Sequence, residues 1–260
     1  MIRGVKRQAP AKINLGLWVR GRRPDGYHEI ETIFVPVPEL ADELHVELAP
    51  NLDQPKLELT GVDVPGRLED NLCLRAWTLL RDEFGERVPP VRMVLEKHIP
   101  VGAGLGGGSS DAASCLLAFD ELFGLQLGVA GLRPYAQVLG ADVPFFLNPR
   151  PSWACGIGDE LEAIELPNLG RIDVRFLGVH SDTGLAYRNL DLGQCTAGGS
   201  LREAVRQPCQ HWSQLITNDF EQEVFVRFPE LAREKSRLYA QGAYFALMSG
   251  SGSAVYGLFA

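Results

Sequence analysis

The chain has 260 residues, 45% of them hydrophobic, with 25 Lys plus Arg against 33 Asp plus Glu and a formal net charge of −8. These figures exclude a disordered chain, a collagen-like repeat and a small stapled scaffold, and they provide apolar material for one large core or two smaller ones. They also argue against a nucleic-acid partner, since binding to a phosphate backbone draws mainly on clustered positive charge.

The first residues, Met1 to Arg7, are charged and no apolar run comes after them, so no signal peptide is expected. Lys12-Ile13-Asn14-Leu15-Gly16-Leu17 alternates polar with apolar, the period of a strand. Ile13, Leu15 and Leu17 are predicted to face the core, with Lys12 and Asn14 together on the other face. Arg23-Pro24-Asp25-Gly26 marks a turn, and Glu31–Val35 a returning strand. The spacing of Cys73, Ala76, Trp77, Leu80 and Phe84 predicts a helix over 71–84, stopped by Gly85. A strand over Val91–Lys97 then leads through His98-Ile99-Pro100 to a glycine cluster.

After that cluster, Ser109 or Ser110 is expected to cap a helix running to about Phe123, with Asp111 in its first turn and Gly124 just past its end. A shorter helix over 129–139 precedes Gly140-Ala141-Asp142-Val143-Pro144. The texture changes near Asn148–Pro151, which divides the chain into expected domains 1–150 and 151–260. The second half is predicted to hold strands over 173–178 and 254–259, with helices over 211–228 and 230–241 between them. Strands and helices interleave without regular alternation, so the fold class is α+β. The five cysteines (Cys73, Cys115, Cys155, Cys195, Cys209) form no Cys-x-x-Cys pair, so neither a disulfide framework nor a zinc site is indicated. No apolar stretch approaches the roughly 18 residues of a membrane span, and the chain is expected in a reducing cytoplasm.

The densest signal is Pro100-Val101-Gly102-Ala103-Gly104-Leu105-Gly106-Gly107-Gly108-Ser109-Ser110. Glycines let several N–H groups converge on one anion, and the helix after them adds unpaired donors and a positive dipole end. An acidic protein can in this way hold phosphates with its backbone. The loop lacks the Gly-Lys-Ser/Thr of a Walker A sequence, and the chain has no His-Arg-Asp or Asp-Phe-Gly triplet of a protein kinase. Gly102-x-Gly104-x-x-Gly107 matches the dinucleotide fingerprint literally, but its acidic partner is missing from a second strand, since Asp120 and Glu121 lie inside the predicted helix. A dinucleotide loop, a glycine turn without ligand and a nucleotide triphosphate loop of another class remain the readings of these residues alone. In the same way Asp142 reads as a turn cap or a base, and Lys12 as a solvated lysine or a site residue.

Pro100 to Ser110 resembles the phosphate loop of the GHMP small-molecule kinases. Pro10-Ala11-Lys12-Ile13-Asn14-Leu15 and Ser249-Gly250-Ser251-Gly252-Ser253-Ala254 resemble two further motifs of that superfamily, in the same order. Asp25-Gly26-Tyr27-His28, Gly140–Pro144, Gly156-x-Gly158-Asp159-Glu160 and Asn218-Asp219-Phe220-Glu221 narrow the resemblance to the branch acting on a cytidine diphosphate-linked methylerythritol.

The resemblance implies a two-domain GHMP-kinase-like fold, with a ribosomal-protein-S5-like N-terminal domain, an α+β C-terminal domain and a substrate cleft. It implies ATP-dependent phosphorylation of the substrate 2-hydroxyl, a step of the non-mevalonate isoprenoid route. Asp142 is then the base, with Lys12 beside it lowering its pKa and stabilising charge on the attacking oxygen, and Asn14 bonding the acceptor. Tyr27 stacks on cytosine, His28 bonds its polar edge, and Tyr187 is the candidate second wall, although Asp182-Thr183-Gly184 stands where relatives often carry Pro-Thr-Pro. Lys97 is a candidate contact for the adenosine end of ATP or else a surface lysine. Mg²⁺ is expected with ATP, with no acidic cage visible and Ser109 or Ser110 as candidate contacts. The partner is the small-molecule substrate, with a monomer or weak homodimer expected, and relative to the family the second domain is expected to end short at Ala260. The alternatives are another GHMP kinase acting on mevalonate, homoserine or a sugar, and a nucleotide-binding module without catalysis.

Overall fold

The structure, a computed structural model, describes residues 4–179, 181 and 183–260. They form two compact units. Unit 1 comprises Met1–Ala11, Val37–Val101 and Gly106–Pro149, and unit 2 comprises Lys12–Pro36, Gly102–Leu105 and Arg150–Ala260. One of the boundaries between the units falls at Pro149/Arg150. Lys12–Pro36 and Gly102–Leu105, however, go with the later residues rather than with 1–150.

Two long strands, β1 (Gly4–Arg22) and β2 (His28–Leu48), contribute to both units. In unit 1 the second half of β2 pairs antiparallel with β4 (Val91–Lys97), Glu43 opposite Glu96 and Leu48 opposite Val91. The strand β3 (Lys56–Gly61), not expected from the sequence, pairs parallel with β4 on its other edge. Along β4 the residues Val91, Met93, Leu95 and Lys97 turn inward while Arg92 and Glu96 face out, the period of two that a sheet with one buried face imposes.

Unit 1 also holds α1 (Leu72–Phe84), α2 (Gly107–Phe123), α3 (Gly128–Leu139) and α4 (Val143–Phe146), which pack on one another. The helix α1 forms as expected: the Asn71 side chain caps it by accepting from Cys73 N at 2.9 Å, its stripe of Cys73, Ala76, Trp77 and Leu80 is buried, and Gly85 ends it. The helix α2 begins three or four residues earlier than expected. Gly106, in the left-handed region at φ 73°, is its N-cap, so Ser109 and Ser110 lie inside its first turn and neither caps it. Ala112, Ala113, Cys115, Leu116, Ala118 and Phe119 bury the helix almost all round.

In unit 2 the first half of β2 pairs with β5 (Ser152–Cys155), Thr32 opposite Ala154, and β5 pairs with β6 (Glu160–Ala163). A separate antiparallel sheet has the order β7 (Arg171–Phe176), β9 (Ala254–Phe259), β8 (Phe245–Met248). Its helices are α5 (Thr183–Asn189), α6 (Leu201–Ala204), α7 (Trp212–Leu215), α8 (Glu221–Arg227) and α9 (Pro229–Ala240). The core gathers Leu17, Ile30, Phe220, Val224, Leu231, Leu238 and Met248.

The single helix expected over 211–228 is two. Between α7 and α8 the chain runs extended beside β1: Leu17 N donates to Thr217 O and Asp219 N to Leu17 O, each at 2.9 Å. The Asp219 carboxylate also accepts from Val19 N at 2.7 Å and from the Thr196 hydroxyl at 2.7 Å. Hydrogen bonds to β1 replace the helical ladder at Asn218-Asp219, two residues whose short polar side chains compete with helix formation.

Candidate functional site

The alternation on β1 is real, but both faces are covered. Ile13 and Leu15 are in the core as expected, and Lys12 and Asn14 on the opposite face are only 4% and 2% exposed. Lys12 is therefore no solvated lysine. Its ammonium donates to Asn14 Oδ1 at 2.5 Å and to the Gly104 carbonyl at 3.1 Å, and sits 5.0 Å from the Phe34 ring centroid. Asn14 in turn donates to Thr32 Oγ1 at 2.8 Å, and Thr32 to the Gly16 carbonyl at 2.6 Å. Each polar group taken out of water here has a partner, as burial at this depth requires.

Gly104 brings the glycine loop to this lysine. Gly102, Gly104 and Gly106 all have φ between 71° and 79°, so the loop turns through the left-handed region at every second residue, while Ala103 and Leu105 between them are buried. A Cβ on Gly104 would collide with the Ser249 carbonyl oxygen, and one on Gly252 with the Ala103–Gly104 peptide. The loop and the late Ser249–Ser253 motif thus meet backbone to backbone. The Ser249 hydroxyl donates to the Gly104 carbonyl at 2.9 Å and accepts from Asn14 N at 3.2 Å. Ala254 N donates to Ala103 O at 3.0 Å.

Past Gly106 the loop becomes the N-terminus of α2, with no side chain capping its first amides. A Cβ at Gly108 would meet no described atom within 4 Å, so the backbone there is open to an approaching group. Uncapped amides, a helix dipole and missing side chains together suit phosphate. Ser109 and Ser110, the candidate metal contacts, stand in this turn. The Ser110 hydroxyl is buried without a hydrogen-bond partner among the described residues. No group of three or more His, Cys, Asp or Glu suited to a metal occurs among those residues.

Lys97 is no surface lysine. It is 3% exposed, and its ammonium lies between Asp42, which it pairs with closely, and Asp111 Oδ2 at 2.5 Å. Asp42 Oδ1 also accepts from His98 N at 2.5 Å and Ile99 N at 2.8 Å. Burial, held back by the Lys97 charge and assisted by Asp42, pushes the Asp111 carboxyl up to about 7. Lys97 thus ties β2, the approach to the glycine loop and α2 together. The signal was present in the sequence: Lys97 falls in the inward register of Val91, Met93 and Leu95.

Asp142 lies in unit 1, half-buried at the N-cap position of α4, with Pro144 in the first turn of that helix. Its carboxylate makes no capping hydrogen bond, so the turn-cap reading fails for its side chain.

Tyr27 is 62% exposed at the end of the Arg23–Tyr27 turn, which is closed by Arg23 N to Tyr27 O at 2.8 Å and Tyr27 N to Asp25 Oδ1 at 3.1 Å. The neighbouring His28 is stacked on Tyr187, ring centroids 4.9 Å apart and planes 29° from parallel, and Tyr187 meets Phe220 edge-on at 4.7 Å. The structure therefore brings His28 and Tyr187 together. Burial, with the Arg22 charge adding, lowers the His28 pKa and favours the neutral ring. Asp182, in the stretch that departs from the family pattern, lies outside the described residues. Its neighbour Thr183 accepts from the Ser251 hydroxyl at 3.1 Å.

Sequence reasoning missed Asp42, Asp111 and Thr32 as contributors, and singled out Ser249 and Asn218 only as parts of motifs. They are short polar residues whose isolated context signals a turn or a cap, and only their partners in space reveal them.

Among family models, that of the GHMP kinases N terminal domain matches residues 71–149, and that of the GHMP kinases C terminal matches 199–260. A 4-diphosphocytidyl-2-C-methyl-D-erythritol kinase of Bacteroides fragilis is 42% identical over 252 residues, 96% of this chain and 90% of that one. One from Prosthecochloris aestuarii is 43% identical over 257 residues, 97% and 88% of the two chains. A crystal structure of a 4-(cytidine 5'-diphospho)-2C-methyl-D-erythritol kinase aligns with TM-score 0.82 at 40% identity, covering 98% of this chain and 90% of that one. L. major mevalonate kinase, TM-score 0.71 at 18% identity over 98% and 87% of the chains, shares the fold. The chain belongs to the 4-diphosphocytidyl-2-C-methyl-D-erythritol kinase family, within the GHMP kinases.

Proposed function

We propose that this enzyme, an ATP-dependent kinase of 4-diphosphocytidyl-2-C-methyl-D-erythritol, transfers the γ-phosphoryl group to the substrate 2-hydroxyl, giving the 2-phosphate and ADP in the non-mevalonate isoprenoid route. The observation that supports it best is the buried Lys12 ammonium held on the carbonyl of Gly104, inside the phosphate loop. A cation fixed at a phosphate loop and shielded from water acts on developing charge with little reorganisation.

In this reading the amides from Gly102 to Ser110 cradle the ATP phosphates. Asp142 takes the proton of the 2-hydroxyl, Lys12 stabilises the attacking oxygen, and Asn14 orients it. Phosphoryl transfer asks for little covalent chemistry from the protein beyond this positioning and charge stabilisation. Mg²⁺ would supply charge screening on the phosphates, and Ser110, whose buried hydroxyl has no partner among the described residues, would be the residue to hold it. Tyr27 and Tyr187 present faces to the cytosine ring and His28 a neutral polar edge, stacking giving affinity and hydrogen bonds discrimination.

Among the described residues no helix is long and apolar enough to cross a membrane. We place the enzyme in the cytoplasm as a monomer or weak homodimer. The test is a coupled ADP-release assay with the cytidylyl substrate, mevalonate and homoserine, repeated with CDP as competitor. Turnover confined to the cytidylyl substrate and inhibited by CDP is expected. Turnover of mevalonate or homoserine at a similar rate, or indifference to CDP, overturns the substrate assignment.

A further inference from the structure

The Asn218 carboxamide is fully committed. It is 3% exposed, donates to Met248 O at 2.9 Å and to Gly250 O at 2.7 Å, and accepts from Phe220 N at 3.0 Å. Both donated bonds go to carbonyls at the end of β8 and the start of the Ser249–Ser253 loop. Its neighbours in the motif grip other parts of the frame. Asp219 holds β1 and Thr196, and Glu221 accepts from Met248 N at 2.9 Å while pairing with Lys235 at 2.6 Å. Of the motif's side chains, the Asn218 amide is the one bonded to the glycine-rich loop itself.

The Ser249–Ser253 loop is packed without slack against Gly104. Gly250 is in the left-handed region at φ 61°, and Ser249 fills the space a Cβ on Gly104 would take. The Gly104 carbonyl accepts from the Ser249 hydroxyl at 2.9 Å and from the Lys12 ammonium at 3.1 Å, so one oxygen is shared by the loop and the lysine. Each of these residues belongs to unit 2.

We infer that Asn218 is a positioning residue for phosphoryl transfer: it sets the height of the Ser249–Gly252 loop, which places the Gly104 carbonyl and through it the Lys12 ammonium. The side chain must be an amide. A carboxylate in its place would set an acceptor against two carbonyl oxygens, and an apolar group would leave both carbonyls buried without a donor. The inference rests on the reading of Lys12 as the group that stabilises the attacking oxygen.

The test is a double-mutant cycle of Asn218→Asp with Lys12→Met, read as kcat and KM, with Ser249→Ala as a second, milder break in the same chain. Displacing a catalytic group by an ångström costs on the order of 100-fold in rate, so Asn218→Asp is expected to lower kcat about 10- to 100-fold. The KM for the cytidylyl substrate should stay within about twofold of the native value, since His28 and Tyr187 are untouched. In the Lys12→Met background the same substitution should have little further effect, because groups acting as a unit are non-additive. Ser249→Ala is expected to show a smaller kcat loss that also vanishes with Lys12→Met, and it decides the matter if Asn218→Asp does not fold. A folded variant with native kcat, a change in KM alone, or equal losses in both backgrounds overturns the inference. If Lys12→Met alone retains native kcat, the Lys12 reading falls and the inference falls with it, an outcome distinct from the others.

Discussion

The backbones of Gly104 and Ser249 are in direct contact: a Cβ on Gly104 would collide with the Ser249 carbonyl oxygen, while the Ser249 hydroxyl donates to the Gly104 carbonyl at 2.9 Å. The two glycine-rich motifs, far apart in the chain, are thereby one structure. Gly104→Ala is expected to combine a left-handed backbone penalty of about 1–2 kcal/mol with overpacking of about 1–3 kcal/mol. Gly108→Ala meets open space at an ordinary helical position and should leave stability within about 1 kcal/mol, or slightly improve it, while raising the KM for ATP. Thermal unfolding and ATP titrations of the two variants check the contrast; equal destabilisation would refute it.

Asp142 and Lys12 carry the proposed chemistry. Asp142→Asn should lower kcat by about 10²- to 10⁴-fold, the range for loss of a general base, with circular dichroism and ATP affinity unchanged. Lys12→Met should cost about 10²- to 10³-fold, the range for removing a single charge-stabilising donor. Steady-state kinetics on both decide the assignment, and near-native turnover in Asp142→Asn would end it.

His28 gives the cytidine site a pH dependence. Burial and Arg22 lower its pKa, so the neutral ring is the form the fold favours. Binding that uses this neutral imidazole is full above its usual value of about 6.5 and is lost as pH falls through the lowered folded value. The KM for the cytidylyl substrate should therefore be flat from about pH 8 to 6.5 and climb below that. In His28→Asn the acid limb should disappear. Persistence of the limb in that variant would assign it to another group.

Lys97 is predicted to matter for the fold before it matters for ATP. Lys97→Met leaves Asp42 and Asp111 buried without their shared cation, and breaking a buried pair in this way costs about 3–5 kcal/mol. Adding Asp42→Asn removes one of the stranded charges and should recover part of the loss. Denaturant unfolding of the single and double variants measures both effects. A Lys97→Met protein of native stability with a raised KM for ATP would return Lys97 to the role of a nucleotide contact.

The fold was legible where local chemistry and tertiary packing agree. The cap, stripe and stop of α1 all lie within its own residues, and so does the inward register of β4. It was illegible where partners are remote. Asn218-Asp219 sits inside a plausible helical run, and only the hydrogen bonds offered by Leu17 and Val19 on β1 make the extended path the better one. The short strands β5, β6 and β8 carry too few residues to show a period, and a neighbouring strand stabilises each of them.

By itself the sequence determined that a glycine-rich loop between Gly102 and Gly108 would run straight into a helix, in a chain of net charge −8. It determined too that Lys12 and Asn14 would share one face of a strand, because a period of two admits nothing else. The tertiary structure alone decided that this face is buried, that Gly104 and Ser249 cover it, and that Lys97 is enclosed by two aspartates. Those are relations between residues remote in the chain. Burial and hydrogen bonding there depend on which surfaces meet, and no local pattern of residue types encodes that.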